Sequence, residues 1–194
     1  FVSTSAVCVT GLTPVVTATH WNFFGQIIII MLIQIGGLGV MTLSTLVAML
    51  LGKRITLSSR LIIREQVGAK GYSGLVKLIR YVLASTFVIE SIGAFILAFS
   101  FVPVYGFLKG IWFSIFHSIS SFCNAGFDLI GQESLLGVNT NVMIILPIAL
   151  LVIIGGIGFN VYMDITKYRL NFKRYSLHSK VVLTTTAILL ASFT

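Results

Sequence analysis

The sequence predicts an all-α membrane protein, with parallel repeats of helix, re-entrant pore loop and helix around a central pore. Three observations predict it. The first is composition: 57% of the 194 residues are hydrophobic, 9% are charged, and the mean hydropathy is +1.04. Soluble domains carry roughly 25% charged residues, so 13 basic and 5 acidic residues cannot dress a chain of this length for water. The second is charge placement, since no Asp, Glu, Lys or Arg occurs from Phe1 to Gly52. The third is an internal repeat. Together they exclude a soluble enzyme domain and a disordered segment.

The elements follow in order. A spanning helix needs about 20 apolar residues. Trp21 to Leu51 qualifies, as do Tyr81 to Val102, ended by Pro103, and Asn141 to Met163. Val181 onward begins a fourth. Two apolar stretches are too short. Ile111 to Cys123 has 13 residues, about 20 Å of helix, or two-thirds of the hydrocarbon core. The stretch at the start of the chain is shorter still.

Charge sets the orientation. Seven of the 13 basic residues lie between Lys53 and Arg80, and five between Lys167 and Lys180. Basic loops between apolar runs belong in the cytoplasm. The net charge of +8 therefore reads as loop placement, and no nucleic-acid partner is expected. Helix 81–102 then runs outward and helix 141–163 runs inward. The segment 103–140 begins and ends outside, so its apolar stretch dips into the membrane and returns. Residues 1–20 obey the same logic. Irregular backbone at membrane depth must line a cavity or be buried in protein, and two such loops from the outer face suggest a pore. Phe1 is not a natural start and the last apolar run is cut at Thr194, so the chain reads as a piece of a longer one.

The repeat has three blocks in the same order. Cys8-Val9-Thr10-Gly11-Leu12 aligns with Cys123-Asn124-Ala125-Gly126-Phe127, and Ser5 with Ser120. Ile35-Gly36-Gly37-Leu38-Gly39 aligns with Ile154-Gly155-Gly156-Ile157-Gly158. Leu57, Ser59 and Arg60 align with Leu177, Ser179 and Lys180. Both copies have one orientation, which is the pattern of parallel repeats about an axis along the membrane normal.

At these residues the chain resembles the Trk/Ktr/HKT family of potassium transporters, most closely its bacterial Ktr branch. Val9-Thr10-Gly11-Leu12, Asn124-Ala125-Gly126-Phe127, Gln34-Ile35-Gly36-Gly37-Leu38-Gly39, Gly155-Gly156-Ile157-Gly158-Phe159 and Leu177-His178-Ser179-Lys180 carry the resemblance. It covers essentially the whole segment. It implies four units around one pore, of which this chain holds about two. Residues 1–52 would end the first unit, 53–80 form a cytoplasmic loop, and 81–163 make the second unit. Residues 164–180 form a further cytoplasmic loop, and 181–194 start the third unit. It also implies a multi-pass cell-membrane homodimer on a cytoplasmic ring of nucleotide-binding subunits, taking up K⁺, with Na⁺ carried or required in some members.

The chemistry of the glycine motifs fits that implication. A dehydrated K⁺ needs a ring of oxygens, and backbone carbonyls supply it without fixed charge. Carbonyls line up only in a strained backbone that glycine permits. The expected ion ligands are the carbonyls of Val9, Thr10 and Gly11, then Asn124, Ala125 and Gly126. The negative end of the preceding short helix would face the ion. The alternative reading makes both glycines plain turns. Each loop has one glycine where the stricter K⁺-channel filter has two, which bears on discrimination against Na⁺.

Other residues read as follows. Cys8 and Cys123 give no disulfide framework and read as small packing residues behind the filters. His20 and His117 read as structural. Asp128 either raises cation concentration at the outer mouth or caps its own loop. Glu90, mid-span, reads first as a hydrogen-bonded lock between helices and second as a functional carboxylate. The Gly-Gly-x-Gly runs allow close backbone approach and are not dinucleotide motifs, because no strand precedes them. Ser58 or Ser59 could cap a short amphipathic helix through Val67, whose basic residues would touch anionic lipid or the regulatory ring. No catalytic set or phosphate loop appears, so an enzyme is not expected. Rival functions are Na⁺ or mixed K⁺/Na⁺ transport on the same fold, or a small-solute secondary transporter. The latter would call for inverted repeats and broken spanning helices.

Overall fold

The computed structural model describes residues 1–39, 72–131, 134–138, 141–168 and 172–193. Every regular element among them is helical, with no strand. Helix α1 (Val2–Val7) and the one-turn α2 (Thr17–His20) precede α3 (Phe23–Gly37). Then come α4 (Tyr72–Tyr105), α5 (Phe107–Phe122), a 3₁₀ turn (Ser134–Val138), α6 (Val142–Ile157), α7 (Phe159–Tyr168), a second 3₁₀ turn (Phe172–Arg174) and α8 (Leu177–Phe193). The amphipathic helix expected from Ser58 or Ser59 to Val67 lies outside the described residues. So do the third repeat block's first copy and the part of the Trp21–Leu51 span beyond Gly39.

Two apolar helices start at asparagines for one reason. The Asn22 side chain accepts from the Gly25 N–H at 2.9 Å, and Asn141 from the Met143 N–H at 3.1 Å. Each satisfies a donor that has no partner inside the helix.

Within α4, Arg80–Tyr105 is long and apolar enough to cross a membrane. Its buried stripe is Val82, Thr86, Glu90, Gly93, Leu97 and Phe101, at spacings of three and four. Phe87, Ile92, Phe95 and Phe99 are exposed on the other side. In water that apolar face would be a liability. Against lipid it is neutral, and the polar Thr86 and Glu90 turn inward.

Helix α4 differs from expectation at Pro103, through which it continues to Tyr105. Proline there removes one intrahelical donor, but it sits in the last turn, where little of the helix depends on it. The Gly106 N–H then closes the end on the Val102 carbonyl at 3.0 Å. After Gly106 the chain doubles back as α5. A methyl on Gly110 would lie 2.5 Å from Val102 Cα, so α5 rests directly on the α4 backbone.

Helix α5 has 16 residues, about 24 Å at 1.5 Å per residue, and occupies the centre. Its Phe113 and Phe116 join one core with Ile29 and Ile33 of α3, Leu97 and Phe101 of α4, and Ile144, Ile148 and Leu151 of α6. Helix association in lipid rests on close packing and hydrogen bonds rather than on water exclusion. Gly93 shows the packing: a methyl there would sit 2.6 Å from Ser118 Oγ.

The expected single span Asn141–Met163 is two helices. Gly158 has φ +86° and the axis turns by 90° between Val142–Ile157 and Val161–Tyr168. That φ belongs to the left-handed half of the map, which glycine enters without a Cβ penalty. The Tyr162 hydroxyl donates to the Ile154 carbonyl across the bend, giving a partner to one of the last acceptors of α6. In the matching position after α3, Gly39 has φ +83°. Helix α7 reaches Tyr168 and α8 begins at Leu177, so much of the stretch 164–180 expected as loop is helical.

Candidate functional site

The two glycine loops have the same local geometry. Cys8 (φ −81°, ψ −1°) caps α1 and Cys123 (φ −74°, ψ −4°) caps α5. The next residues, Val9 and Asn124, have φ +55° and +58°. Gly11 and Gly126 both have φ +72°. The hydrogen bonds match as well. Val9 N–H donates to Ala6 O and Thr10 N–H to Ser5 O, as Asn124 N–H does to Ser121 O and Ala125 N–H to Ser120 O. This is the Schellman termination, in which two N–H groups beyond the helix end satisfy carbonyls of its last turn. Glycine or asparagine normally takes its left-handed position, so Asn124 fits and the β-branched Val9 is held against its preference.

The loops lie side by side. A methyl on Gly11 would stand 2.7 Å from the Ala125 carbonyl oxygen and 3.2 Å from Gly126 Cα. Ala125 is fully buried, whereas Thr10, Asn124 and Gly126 are exposed. The Thr10 hydroxyl is shared with Ser5 Oγ at 2.9 Å, and Ser120 Oγ donates to Phe127 O at 2.6 Å. Each serine ties its helix to the chain beyond the turn.

The Gly-Gly runs support these turns from behind. A methyl on Gly36 would collide with the Val7 carbonyl, and one on Gly155 with the Phe122 carbonyl. Val7 and Phe122 are the last residues of α1 and α5. The close approach expected of the glycine runs is therefore made, against helix-end carbonyls. A methyl on Gly37 would meet Cys123 Sγ. Cys123 is buried behind the second loop, and Cys8 is exposed.

Glu90 is a lock. Gln34 Nε2 donates to both carboxylate oxygens, at 3.0 and 3.1 Å. Ser118 Oγ of α5 donates to the Glu90 carbonyl at 2.7 Å. His117 is structural: Nδ1 lies 2.7 Å from the Phe113 carbonyl, and Nε2 accepts from the Leu129 N–H at 3.3 Å. That pattern corresponds to the neutral ring with its proton on Nδ1. His20 is exposed and packs edge-on against Trp21. Asp128 caps its loop, accepting from Ile130 N–H at 3.0 Å and from Ser134 Oγ at 2.7 Å. It lines a 230 Å³ cavity with Ser120, Asn124 and Gly126.

Sequence reading missed Gln34 as a partner, and it missed Asp164. Asp164 Oδ2 accepts from Ser176 Oγ, Ser179 Oγ and Ser176 N–H, at 2.6, 2.6 and 3.0 Å. Ser176 Oγ in turn accepts from the Ser179 N–H, capping α8. Partial desolvation of Asp164 pushes its pKa up. The Ser176 and Ser179 hydrogen bonds, with Lys167 nearby, outweigh it and hold the carboxyl below its usual range. The available signal was a lone acid beside a run of basic residues.

Among the described residues no three His, Cys, Asp or Glu side chains are placed to hold a metal. The two loops bring main-chain carbonyls and neutral side chains together, with the Asp128 carboxylate beside the second.

The chain is 50% identical over 190 residues to the potassium/sodium uptake protein NtpJ of Enterococcus hirae, covering 98% of the chain and 42% of the relative. It is 43% identical over 189 residues to the Ktr system potassium uptake protein B of Bacillus subtilis, covering 97% and 42%. To its namesake in Vibrio alginolyticus it is 37% identical over 191 residues, covering 98% and 42%. The chain thus spans about two-fifths of the length of these curated relatives. Residues 1–194 match the TrkH family of cation transport proteins from end to end, and the chain belongs to that family.

Proposed function

We propose that this chain supplies two adjacent units of the ion pathway in a K⁺ uptake protein of the cell membrane. Each unit is a parallel repeat of helix, re-entrant loop and helix, and the two loops form part of a selectivity filter. The carbonyls of Val9, Thr10 and Gly11, with those of Asn124, Ala125 and Gly126, replace the water of an entering ion. The carrying observation is the matched pair of turns, with Gly11 and Gly126 both at φ +72° and directly adjacent. Helix α5 ends at this point, so its partial negative charge favours a cation there. A ring of neutral dipoles binds an ion strongly enough to admit it and weakly enough to release it.

The basic stretches 53–80 and 164–180 face the cytoplasm, and the loops open outward. Lipid covers the apolar face of α4. The whole protein works as a homodimer on a cytoplasmic nucleotide-binding ring. One glycine per loop, together with the similarity to the potassium/sodium uptake protein of Enterococcus hirae, favours transport of Na⁺ beside K⁺.

The test is Gly126→Ser in the full-length protein, reconstituted in vesicles with K⁺ and Na⁺ fluxes read separately. A fall in K⁺ over Na⁺ preference of about tenfold, or about 1.4 kcal/mol of discrimination, is expected. Unchanged K⁺ flux and preference would remove the filter assignment.

A further inference from the structure

We infer that Glu90 and Gln34 together are the positioning device of the second glycine loop, and thereby determine ion preference without touching the ion. The inference rests on the filter reading above. Glu90 lies on α4, only 5% exposed, and three of its neighbours converge on the turn. Gln34 comes from α3 and engages both carboxylate oxygens. Ser118 comes from α5 and binds the Glu90 main chain at 2.7 Å. Cys123, the residue before Asn124, places its thiol 3.9 Å from Glu90 Oε1 and 3.8 Å from Gln34 Oε1.

The geometry distinguishes this cluster from an ordinary interhelical clasp. A clasp would join two helices anywhere along their length. This one closes on the cap of α5, one residue before the left-handed Asn124 and three before Gly126. Gly37, three residues after Gln34, is the position where any side chain would strike Cys123 Sγ. The thiol is thus held on one side by bare backbone and on the other by the carboxylate–amide pair. Its freedom to move sets the freedom of the turn. A displacement of a few tenths of an ångström at Cys123 passes along the covalent chain into the carbonyls that follow, against the hold of the Asn124 and Ala125 N–H groups on Ser121 and Ser120. Carbonyl rings discriminate between ions of similar charge by position and number of oxygens. Loosening the pair should therefore relax preference while leaving a path for ions.

The test uses the full-length protein in vesicles, with K⁺ and Na⁺ uptake measured separately and the amount of folded dimer quantified. Glu90→Leu and Gln34→Leu should each lower K⁺ over Na⁺ preference about tenfold, with Na⁺ flux retained or raised. The exchanged pair, Gln34→Glu with Glu90→Gln, keeps one carboxylate and one amide and should restore most of the preference. A folded Glu90→Leu protein with unchanged preference overturns the inference. So does an exchanged pair no better than the single variants. If Glu90→Leu fails to fold, the exchanged pair and Cys123→Ala decide. Unchanged preference in Cys123→Ala overturns the inference, and a relaxed one supports it. Gly126→Ser runs in parallel. If it alters preference and the Glu90 series does not, the filter reading stands and the positioning role falls. If Gly126→Ser changes nothing, the filter reading itself has failed.

Discussion

Gly155 packs directly against the carbonyl oxygen of Phe122, the last residue of α5. Gly36 meets Val7 in the same way. These contacts place the inner helices against the ends of the short helices, with no side chain between.

Gly155→Ala and Gly36→Ala should therefore destabilise the protein. The obstructing atoms are main-chain carbonyls at the end of a helix, which cannot turn aside like the tip of a side chain. Overpacking of this kind costs about 1–3 kcal/mol. Thermal unfolding of the purified full-length protein should show lower midpoints for both variants. Gly156→Ala is the control, because a methyl there would meet only Asn124 Nδ2 at 3.9 Å.

Asn124→Val should be more harmful than its chemistry suggests. Asn124 holds φ +58°, a region that costs L residues roughly 1–2 kcal/mol and that asparagine tolerates best after glycine. Its Nδ2 also reaches the Phe122 carbonyl at 3.4 Å. The reverse change, Val9→Asn, places a tolerant residue at φ +55°. Denaturation monitored by tryptophan fluorescence should find Asn124→Val less stable by about 1–2 kcal/mol and Val9→Asn less affected. Equal losses in the two variants would contradict the strain assigned to Val9.

Asp164 predicts a pH dependence with a definite sign. Its folded pKa lies below the ordinary value of 3.8, the Ser176 and Ser179 hydrogen bonds outweighing desolvation. The carboxylate's contribution is then fully present above that value and lost as pH falls through the folded pKa. Wild type and Asp164→Asn should differ in melting temperature at neutral pH. The gap should close below about pH 4. Ser176→Ala removes the cap of α8 and should cost about 1 kcal/mol at neutral pH. A gap between wild type and Asp164→Asn that widens in acid would contradict the assignment.

Much of this arrangement is legible in the residues. The paired motifs at Val9–Gly11 and Asn124–Gly126 correspond to the paired turns, because the second left-handed step of each falls on the glycine that marks it, although the first falls on Val9 or Asn124. The lock reading of Glu90 follows from the expense of a carboxylate among apolar residues. Its partners were less accessible, since Gln34 lies 56 positions away and local spacing says nothing about such a pair. The bend at Gly158 is hidden for a different reason. Asn141–Met163 is apolar on both sides of the break, and periodicity cannot separate one span from two collinear-looking pieces. Only the φ of Gly158 and the Tyr162–Ile154 hydrogen bond distinguish them. Pro103 misleads in the opposite direction. A proline near a helix end reads as a stop, yet α4 runs two residues beyond it to Tyr105.

The contact between Gly155 and Phe122 also bears on how such a protein can vary. Every amino acid that can replace glycine carries at least a Cβ. At Gly36 and Gly155 that single atom meets main chain, so no first mutational step is free. Phe87, Ile92, Phe95 and Phe99 on the outer face of α4 meet no such obstacle, and one apolar residue there can replace another. Replacement is thus expected to be tolerated on the exposed face of α4 and penalised at the bare positions of α3 and α6.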